Sequence, residues 1–246
     1  MSESSIDPIQ QARIDLAAAL RWADRTGLGE GICNHFSLLV PGTTDHFLLN
    51  PQGLHWSEIT VSDLIVVDPD GNLLEGKHQA EPTAFFIHSR VHLNRPSAKC
   101  VLHTHMPYAT ALCCVERGRV EMCCQGALRY YNRIAYDDEY AGLALDQAEG
   151  DRICSNLANA DALFLANHGV VMTGEDMACA FDDLYYLERA CMHQVLAQST
   201  GQALKLIPDG VCRITSEQIA GERQQSYFFL EAIKRILARE SPEYLE

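Results

Sequence analysis

The sequence predicts a single α/β domain, built on a central mixed, largely antiparallel β-sheet with helices on both faces. Two observations carry this. Helical and strand-like patterns alternate along the 246 residues, as they do in layered α/β proteins. Several strand candidates are separated only by tight turns, which cannot house the crossover that parallel neighbours need. No internal repeat, linker or low-complexity block divides the chain, and 47% hydrophobic residues can fill one core.

The elements follow in order. Residues 1–6 read as a frayed tail. Asp7 as a cap and Pro8 at the first helical position open a helix. Ile9, Ile14, Leu16, Leu20 and Trp22 sit at roughly helical spacing along it, and Gly27 and Gly29 end it. A glycine-containing turn leads into a strand over Phe36–Val40. Pro41–Gly42 turns the chain into a partner strand, His46–Asn50. Asn50–Pro51–Gln52–Gly53 is a loop. Leu64–Asp68 is a strand closed by Pro69–Asp70–Gly71, with a short return at Leu73 and Leu74.

Pro82 opens a helix to about Asn94, a strand follows over 100–105, and a further helix starts at Pro107. Arg119–Cys124 and Arg133–Ala135 are weaker strand candidates. Asp146–Asn159 reads as a helix and 162–167 as a strand. A long helix runs from Gly174–Glu175 to about Ser199, with Phe181, Leu184, Tyr185, Glu188, Cys191, Met192 and Val195 at three- and four-residue spacing. Thr215 is read as the cap of one last helix to about Arg239.

Composition excludes several functions. No apolar run reaches eighteen residues, and no basic segment precedes an apolar one at the start, so neither a membrane span nor a secretory signal is expected. The formal net charge of −14 argues against nucleic acid as a partner. Ten cysteines without a signal read as reduced thiols in the cytoplasm. The doublets Cys113–Cys114 and Cys123–Cys124 lack the two-residue spacer of metal-binding loops and read as small buried apolar residues.

The chemistry centres on Cys100–Val101–Leu102–His103–Thr104–His105. An apolar strand ends there in two histidines, and residues i and i+2 of a strand share a face. A second apolar run, Ala162–Ala166, ends in Asn167–His168–Gly169. One strand-end histidine is usually structural. Three converging on a point would hold a divalent cation such as zinc, iron or manganese and leave coordination positions open. His88 and His92, four apart on a helix, also have ligand spacing, but packing or hydrogen bonding under the sheet is the simpler reading. Arg129 could fork onto a substrate carboxylate, though a surface ion pair is the plainer fate. Tyr130, Tyr131 and Tyr140 read as packing residues.

These phrases, taken together, resemble the class II aldolase/adducin family. The resemblance runs over about residues 9–205. It rests on Asn34–His35–Phe36–Ser37, on Asn50–Pro51–Gln52–Gly53–Leu54 followed by Ser57–Glu58–Ile59–Thr60, on His103–Thr104–His105, and on Asn167–His168–Gly169. It divides the chain into a tail over 1–8, the family domain over 9–205, and a helical extension over 206–246 packed on that domain. It also implies one divalent metal per subunit on His103, His105 and His168, zinc first with manganese, iron or cobalt compatible. The assembly implied is a homotetramer with active sites at subunit interfaces.

Members of this family include sugar-phosphate aldolases, epimerases, dehydratases and decarboxylases, besides adducin head domains that lack the histidine set. The aldolases place a Glu acid/base where this chain has Ala84, so Glu81, one turn earlier, becomes the candidate. Their phosphate cradle maps onto Asn34, Gln52–Gly53 and the region of Pro82–Thr83. Lost hydroxyls and an added proline remove phosphate donors there, while Asn34, Gln52 and Gly53 remain candidates for binding a carboxylate or hydroxyl. The expectation is a metal-dependent lyase that breaks a C–C bond of a small hydroxy, keto or aromatic acid, by aldol cleavage or decarboxylation, through an enolate-like charge. A sugar-phosphate aldolase or epimerase, a non-haem iron oxygenase, and a non-catalytic adducin-like module are the alternatives.

Overall fold

The computed structural model describes residues 6–246, with residues 83 and 84 described through their backbone only. The tail read over residues 1–6 thus lies almost wholly outside the described residues.

Eight strands form one sheet: β1 (His35–Leu39), β2 (Phe47–Leu49), β3 (Ile65–Val67), β4 (Leu73–Glu75), β5 (Cys100–Thr104), β6 (Ile134–Asp137), β7 (Ala162–Leu165) and β8 (Gly169–Gly174). Their order is β4-β3-β2-β1-β5-β8-β7-β6. Every pairing is antiparallel except β6 with β7. The helices are α1 (Pro8–Arg25), α2 (Pro82–Asn94), α3 (Pro107–Cys113), α4 (Gln147–Leu157), α5 (Met177–Gln198), α6 (Asp209–Ala220) and α7 (Gln224–Glu240). As the sequence implies, Asp7 caps α1 by accepting from the Gln10 amide, which satisfies one donor of the first turn.

The period-two alternation of strand side chains sorts the core into two layers. Phe36, Leu38, Cys100, Leu102, Val170 and Met172 face a large cluster with α1, α5 and α7. Val101, Leu163, Leu165 and Val171 face the other way, onto Ile87 and Val91 of α2 and Ile153 and Leu157 of α4. Helices therefore cover both faces. The same alternation puts His35, Ser37 and His103 on the α2–α4 face, and β1 pairs with β5 so that His35 lies opposite His103 and Ser37 opposite Val101.

Four local expectations are corrected. Arg119–Cys124 is not a strand, because side chains take its backbone donors: Val120 N–H donates to the Tyr136 hydroxyl and Glu121 N–H to Gln194 Oε1. The last helix is two. α6 starts behind Pro208 and stops at Gly221, and Thr215 lies inside it. α7 then starts afresh at Gln224. Arg129 makes no surface pair. It donates to Asp182 and Asp183 of α5 at 2.6 and 3.1 Å, both carboxylates being buried. Arg133 and Arg223 complete this cluster on Asp183, tying α7 to α5. Of the cysteine doublets only Cys113 is buried; Cys114 is exposed and Cys123 and Cys124 are half-buried, all as free thiols.

His88 and His92 pack under the sheet. Ser37 Oγ lies 2.6 Å from His88 Nδ1 and 2.7 Å from His92 Nε2, and His92 Nδ1 lies 2.7 Å from the Ala98 carbonyl. Burial pushes the His92 imidazole down to about 4. An imidazole held neutral by folding contributes stability that is complete above its unfolded value, near 6.5, and is lost as pH falls toward the folded value. The expected outcome is a denaturation midpoint that falls between about pH 6.5 and 4. His92 alone contributes on the order of 3 kcal/mol to that slope, and urea titrations of wild type and His92→Phe across this range measure it.

Candidate metal centre

The three histidines meet at one end of the sheet. His103 is the fourth residue of β5, and His105 lies just beyond the strand end. His168 sits in the β7–β8 turn, where Asn167 takes a left-handed φ of +56° and Leu165 pairs with Gly169. One ring nitrogen from each lies within 4.8 Å of the others. The turn was missed in the sequence: the strand ends at Leu165, and Gly169 begins the eighth strand.

Gly169 allows this convergence. A Cβ there would lie 2.5 Å from the Thr104 carbonyl oxygen and 2.7 Å from His105 Cδ2. Any other residue would push the hairpin off the His-x-His segment.

Hydrogen bonds turn the rings. His103 Nδ1 donates to the Val170 carbonyl at 3.0 Å, which leaves Nε2 as its ligand atom. His105 Nδ1 donates to Glu30 Oε2 at 2.5 Å, and its Nε2 is buried with no partner among the described residues. A carboxylate behind an imidazole in this way fixes its tautomer and raises its basicity as a ligand. Burial is the main force lowering His103 well below the ordinary imidazole value, and it brings His168 to about 4. Both present unprotonated nitrogens at neutral pH. An orphaned buried nitrogen, two neutral imidazoles and a shared focus fit a divalent cation in a three-histidine site.

A cleft of about 340 Å³ opens over this cluster. Asn34, Gln52 and Glu81 line it with the three histidines, as do Ile32, Ile87, Tyr140, Leu143 and Ala144. No Lys or Arg lines it among the described residues. Gly53, expected beside Gln52, turns the chain with φ +87° and stands outside this lining. Pro82 begins α2, and the side chains of Thr83 and Ala84 lie outside the described structure. Tyr140, read as packing, is 53% exposed, with its ring 6.5 Å from that of His168.

Asn34 has a left-handed φ of +78°, a conformation that asparagine tolerates. Its Oδ1 accepts the His105 N–H at 3.2 Å. That fixes which end of the amide is oxygen, so the buried Nδ2, without a partner in the described protein, is a donor at the cleft wall. Glu81 directly precedes α2, and His35 Nε2 lies 3.2 Å from its Oε2.

Two supporting residues were not singled out in the sequence for these roles. Glu30 is exposed and lies 75 residues before His105, with no spacing to mark it. Glu188 had been read only as part of a helix face. It reaches from α5 to accept the Tyr108 and Ala109 N–H groups, both at 2.8 Å, and so anchors the chain as it leaves His105.

The family model for the class II aldolase and adducin N-terminal domain matches residues 14–195. The chain belongs to that family. Among relatives of this class II aldolase/adducin protein, one from Pseudomonas aeruginosa named for aldolase class 2 is 38% identical, over 86% of this chain and 81% of its own. A 4-hydroxy-3-prenylphenylpyruvate oxygenase/4-hydroxy-3-prenylbenzoate synthase from Streptomyces roseochromogenus is 33% identical, over 82% and 73%. Decarboxylase NovR from Streptomyces niveus is 32% identical, over 82% and 75%.

Solved structures agree. An aldolase II superfamily protein from Pseudomonas syringae superposes with a TM-score of 0.90 at 33% identity, covering 98% of each chain. L-fuculose 1-phosphate aldolase from Glaciozyma antarctica superposes with 0.86 at 26%, covering 97% of this chain and 93% of its own.

Glu30 generates a prediction. Glu30→Gln removes the charge behind His105 and keeps the shape, and zinc affinity is expected to fall about 10–100-fold. Competition with a chromophoric chelator reads this; an unchanged affinity would detach Glu30 from the centre.

Proposed function

We propose that this protein is a divalent-metal-dependent lyase that breaks a C–C bond of an aromatic or otherwise apolar hydroxy or keto acid. The observation that carries this is the cleft itself: three converging imidazoles under walls of Ile32, Ile87, Tyr140, Leu143 and Ala144, with no Lys or Arg among the described residues of the lining. A phosphate dianion is normally held by cationic side chains, and no Lys or Arg lines this cleft among the described residues. The sugar-phosphate reading is weaker for that reason, in spite of the aldolase fold. An apolar wall with few polar groups suits an aromatic ring with one polar end.

His103, His105 and His168 would hold the cation, with zinc the first candidate. A divalent ion there polarises a substrate oxygen and stabilises the negative charge left when a carbon–carbon bond breaks. The rest falls to the protein. Asn34 Nδ2 and Gln52 donate to the polar end of the substrate, with the Gly53 turn setting the position of Gln52. Glu81 moves the proton. In aldol cleavage it takes the hydroxyl proton as the bonding pair passes to the α-carbon, and then gives that proton to the carbon. In decarboxylation it supplies the proton that replaces carbon dioxide.

The subunits assemble as homotetramers with sites at subunit interfaces, in the cytoplasm, where ten free thiols are stable, and the extension over 206–246 packs on the domain over 9–205. No described helix is long and apolar enough to cross a membrane. A second reading has its own support in the oxygenase/synthase relative. The same three histidines with iron would leave positions for oxygen and substrate. Iron content with oxygen uptake would select it.

Two outcomes are expected. His103→Ala, His105→Ala and His168→Ala each lose most of the single equivalent of bound metal in elemental analysis, while His88→Ala and His92→Ala keep it. Full occupancy of His103→Ala would remove the centre. Next, zinc-, manganese- or cobalt-loaded protein in heavy water should exchange the C3 protons of phenylpyruvate, a probe for charge at the carbon next to a carbonyl. Glu81→Gln should keep its metal and lose about 10²–10⁴-fold of that rate. Exchange within a fewfold of wild type would take Glu81 out of the mechanism, and preference for L-fuculose 1-phosphate over keto acids would overturn the substrate class.

A further inference from the structure

Beside the three candidate ligands, on the same sheet face, lies a second set of buried polar side chains: His35, Ser37, His88 and His92. Its hydrogen bonds can be assigned a direction from one end. The Ala98 carbonyl only accepts, so His92 Nδ1 carries the proton in the 2.7 Å contact. Neutral His92 then has a bare Nε2, and Ser37 Oγ–H donates to it at 2.7 Å. With its one proton used, Ser37 Oγ accepts from His88 Nδ1–H at 2.6 Å. Both rings are thereby locked in one tautomer and one orientation.

His35 is wedged between this ladder and the metal centre. Its ring meets His88 edge to face, with centroids 5.6 Å apart at 79°. It stacks on His103 at 5.7 Å and 25°. The ring is 6% exposed and cannot swing. Its Nε2 lies 3.2 Å from Glu81 Oε2, so a neutral imidazole presents Nε2–H to the carboxylate, leaving Nδ1 as the buried nitrogen without a partner in the described protein.

We propose that His35 is a positioning residue for Glu81: its Nε2–H holds the carboxylate at the cleft wall, and the His88–Ser37–His92 ladder keeps the ring in place. The ladder is a scaffold and not a proton wire, because it ends on a backbone carbonyl that cannot take up a proton. The inference rests on the reading of Glu81 as the proton-transfer group. It explains how a carboxylate placed one helical turn before the family position is held where it lines the cleft. It also gives the histidine after Asn34 a role.

Two measurements test it. The first needs neither substrate nor metal. In histidine-selective ¹⁵N spectra of the metal-free protein, His35 is expected as the Nε2–H tautomer, with a ring signal that moves on Glu81→Gln. An Nδ1–H tautomer, or a signal indifferent to Glu81→Gln, overturns the proposal. The second is phenylpyruvate exchange by the metal-loaded protein. His35→Phe keeps the aromatic wedge and removes the N–H. It should retain its metal and its apparent KM within about threefold while kcat falls about 10–100-fold, in the lower range for proton-transfer effects.

His35→Gln restores a donor and should recover a large part of that loss, which filling the space alone would not do. The double variant His35→Phe/Glu81→Gln should be no slower than Glu81→Gln alone. If Glu81→Gln is slow but His35→Phe is within twofold of wild type, the positioning role fails and the Glu81 reading survives. If Glu81→Gln itself is unimpaired, both fall. Should His35→Phe not fold, His35→Gln and the ¹⁵N spectrum still decide.

Discussion

The centre depends on one close approach, that of the β7–β8 hairpin to the end of β5. His103 and His105 arrive together because they lie on one segment, but His168 comes from some sixty residues further on. Only the antiparallel pairing of β5 with β8 brings it in, with His103 opposite Val171 and Thr104 opposite Val170. The missing side chain of Gly169 sets the separation, since a Cβ would strike both Thr104 and His105. Asn167 makes the turn with a left-handed backbone, and its N–H is held by the Cys113 carbonyl. Asn-His-Gly is thus one device: a turn residue, a ligand and a spacer. Glu188 braces the chain on the far side of His105, so both approaches to the centre are fixed before any ion binds.

Desolvation then sets the chemical state. Five histidines lie on or near the α2–α4 face, and burial is the first cause lowering each of His35, His88, His92, His103 and His168. A buried imidazolium is costly, whereas a buried neutral imidazole needs only hydrogen-bond partners. His92 finds both of its partners in Ser37 and Ala98, and His88 finds one in Ser37 while its buried Nε2 has none among the described residues. His103 and His105 each use one nitrogen on protein, at Val170 and Glu30, and keep the other turned toward the shared focus. What sets the candidate ligands apart from the packing histidines is convergence: one ring nitrogen of each of His103, His105 and His168 lies within 4.8 Å of the others.

Much of this was legible in the sequence, and the failures have physical causes. Strand-end histidines on an apolar run, Pro at helix starts and tight turns between strands are local signals, and they located β1–β5, α1–α5 and the three histidines. Arg119–Cys124 misled because its alternation resembles a strand, while its amides are satisfied by Tyr136 and Gln194 from distant elements. β8 was passed over although Val170–Val171–Met172–Thr173 between two glycines is itself a strand signal. The break between α6 and α7 at Gly221 was overridden by amphipathic spacing on either side. Arg129 was misjudged because nothing local shows that Asp182 and Asp183, in the middle of an apolar helix, are buried and need cations. Glu30 could not be found at all, since its role exists only in the contact with His105.

The same three imidazoles can serve an aldolase, a decarboxylase or an oxygenase, so the reaction is decided by what surrounds them. In this chain the changes around the centre point one way. Gln52 and Pro82 occupy cradle positions where small hydroxyls and free amides would suit a phosphate. Tyr140, Leu143 and Ala144 close the opposite wall with apolar surface. The carboxylate before α2 has moved back one turn to Glu81, and His35 stands where it can hold it. On the proposed reading, an apolar wall and few polar groups favour a substrate with one polar end and one apolar body. The combination then sets this protein apart from L-fuculose 1-phosphate aldolase, whose fold it shares. On that same reading the distinction lies in the walls of the cleft and not in the three histidines.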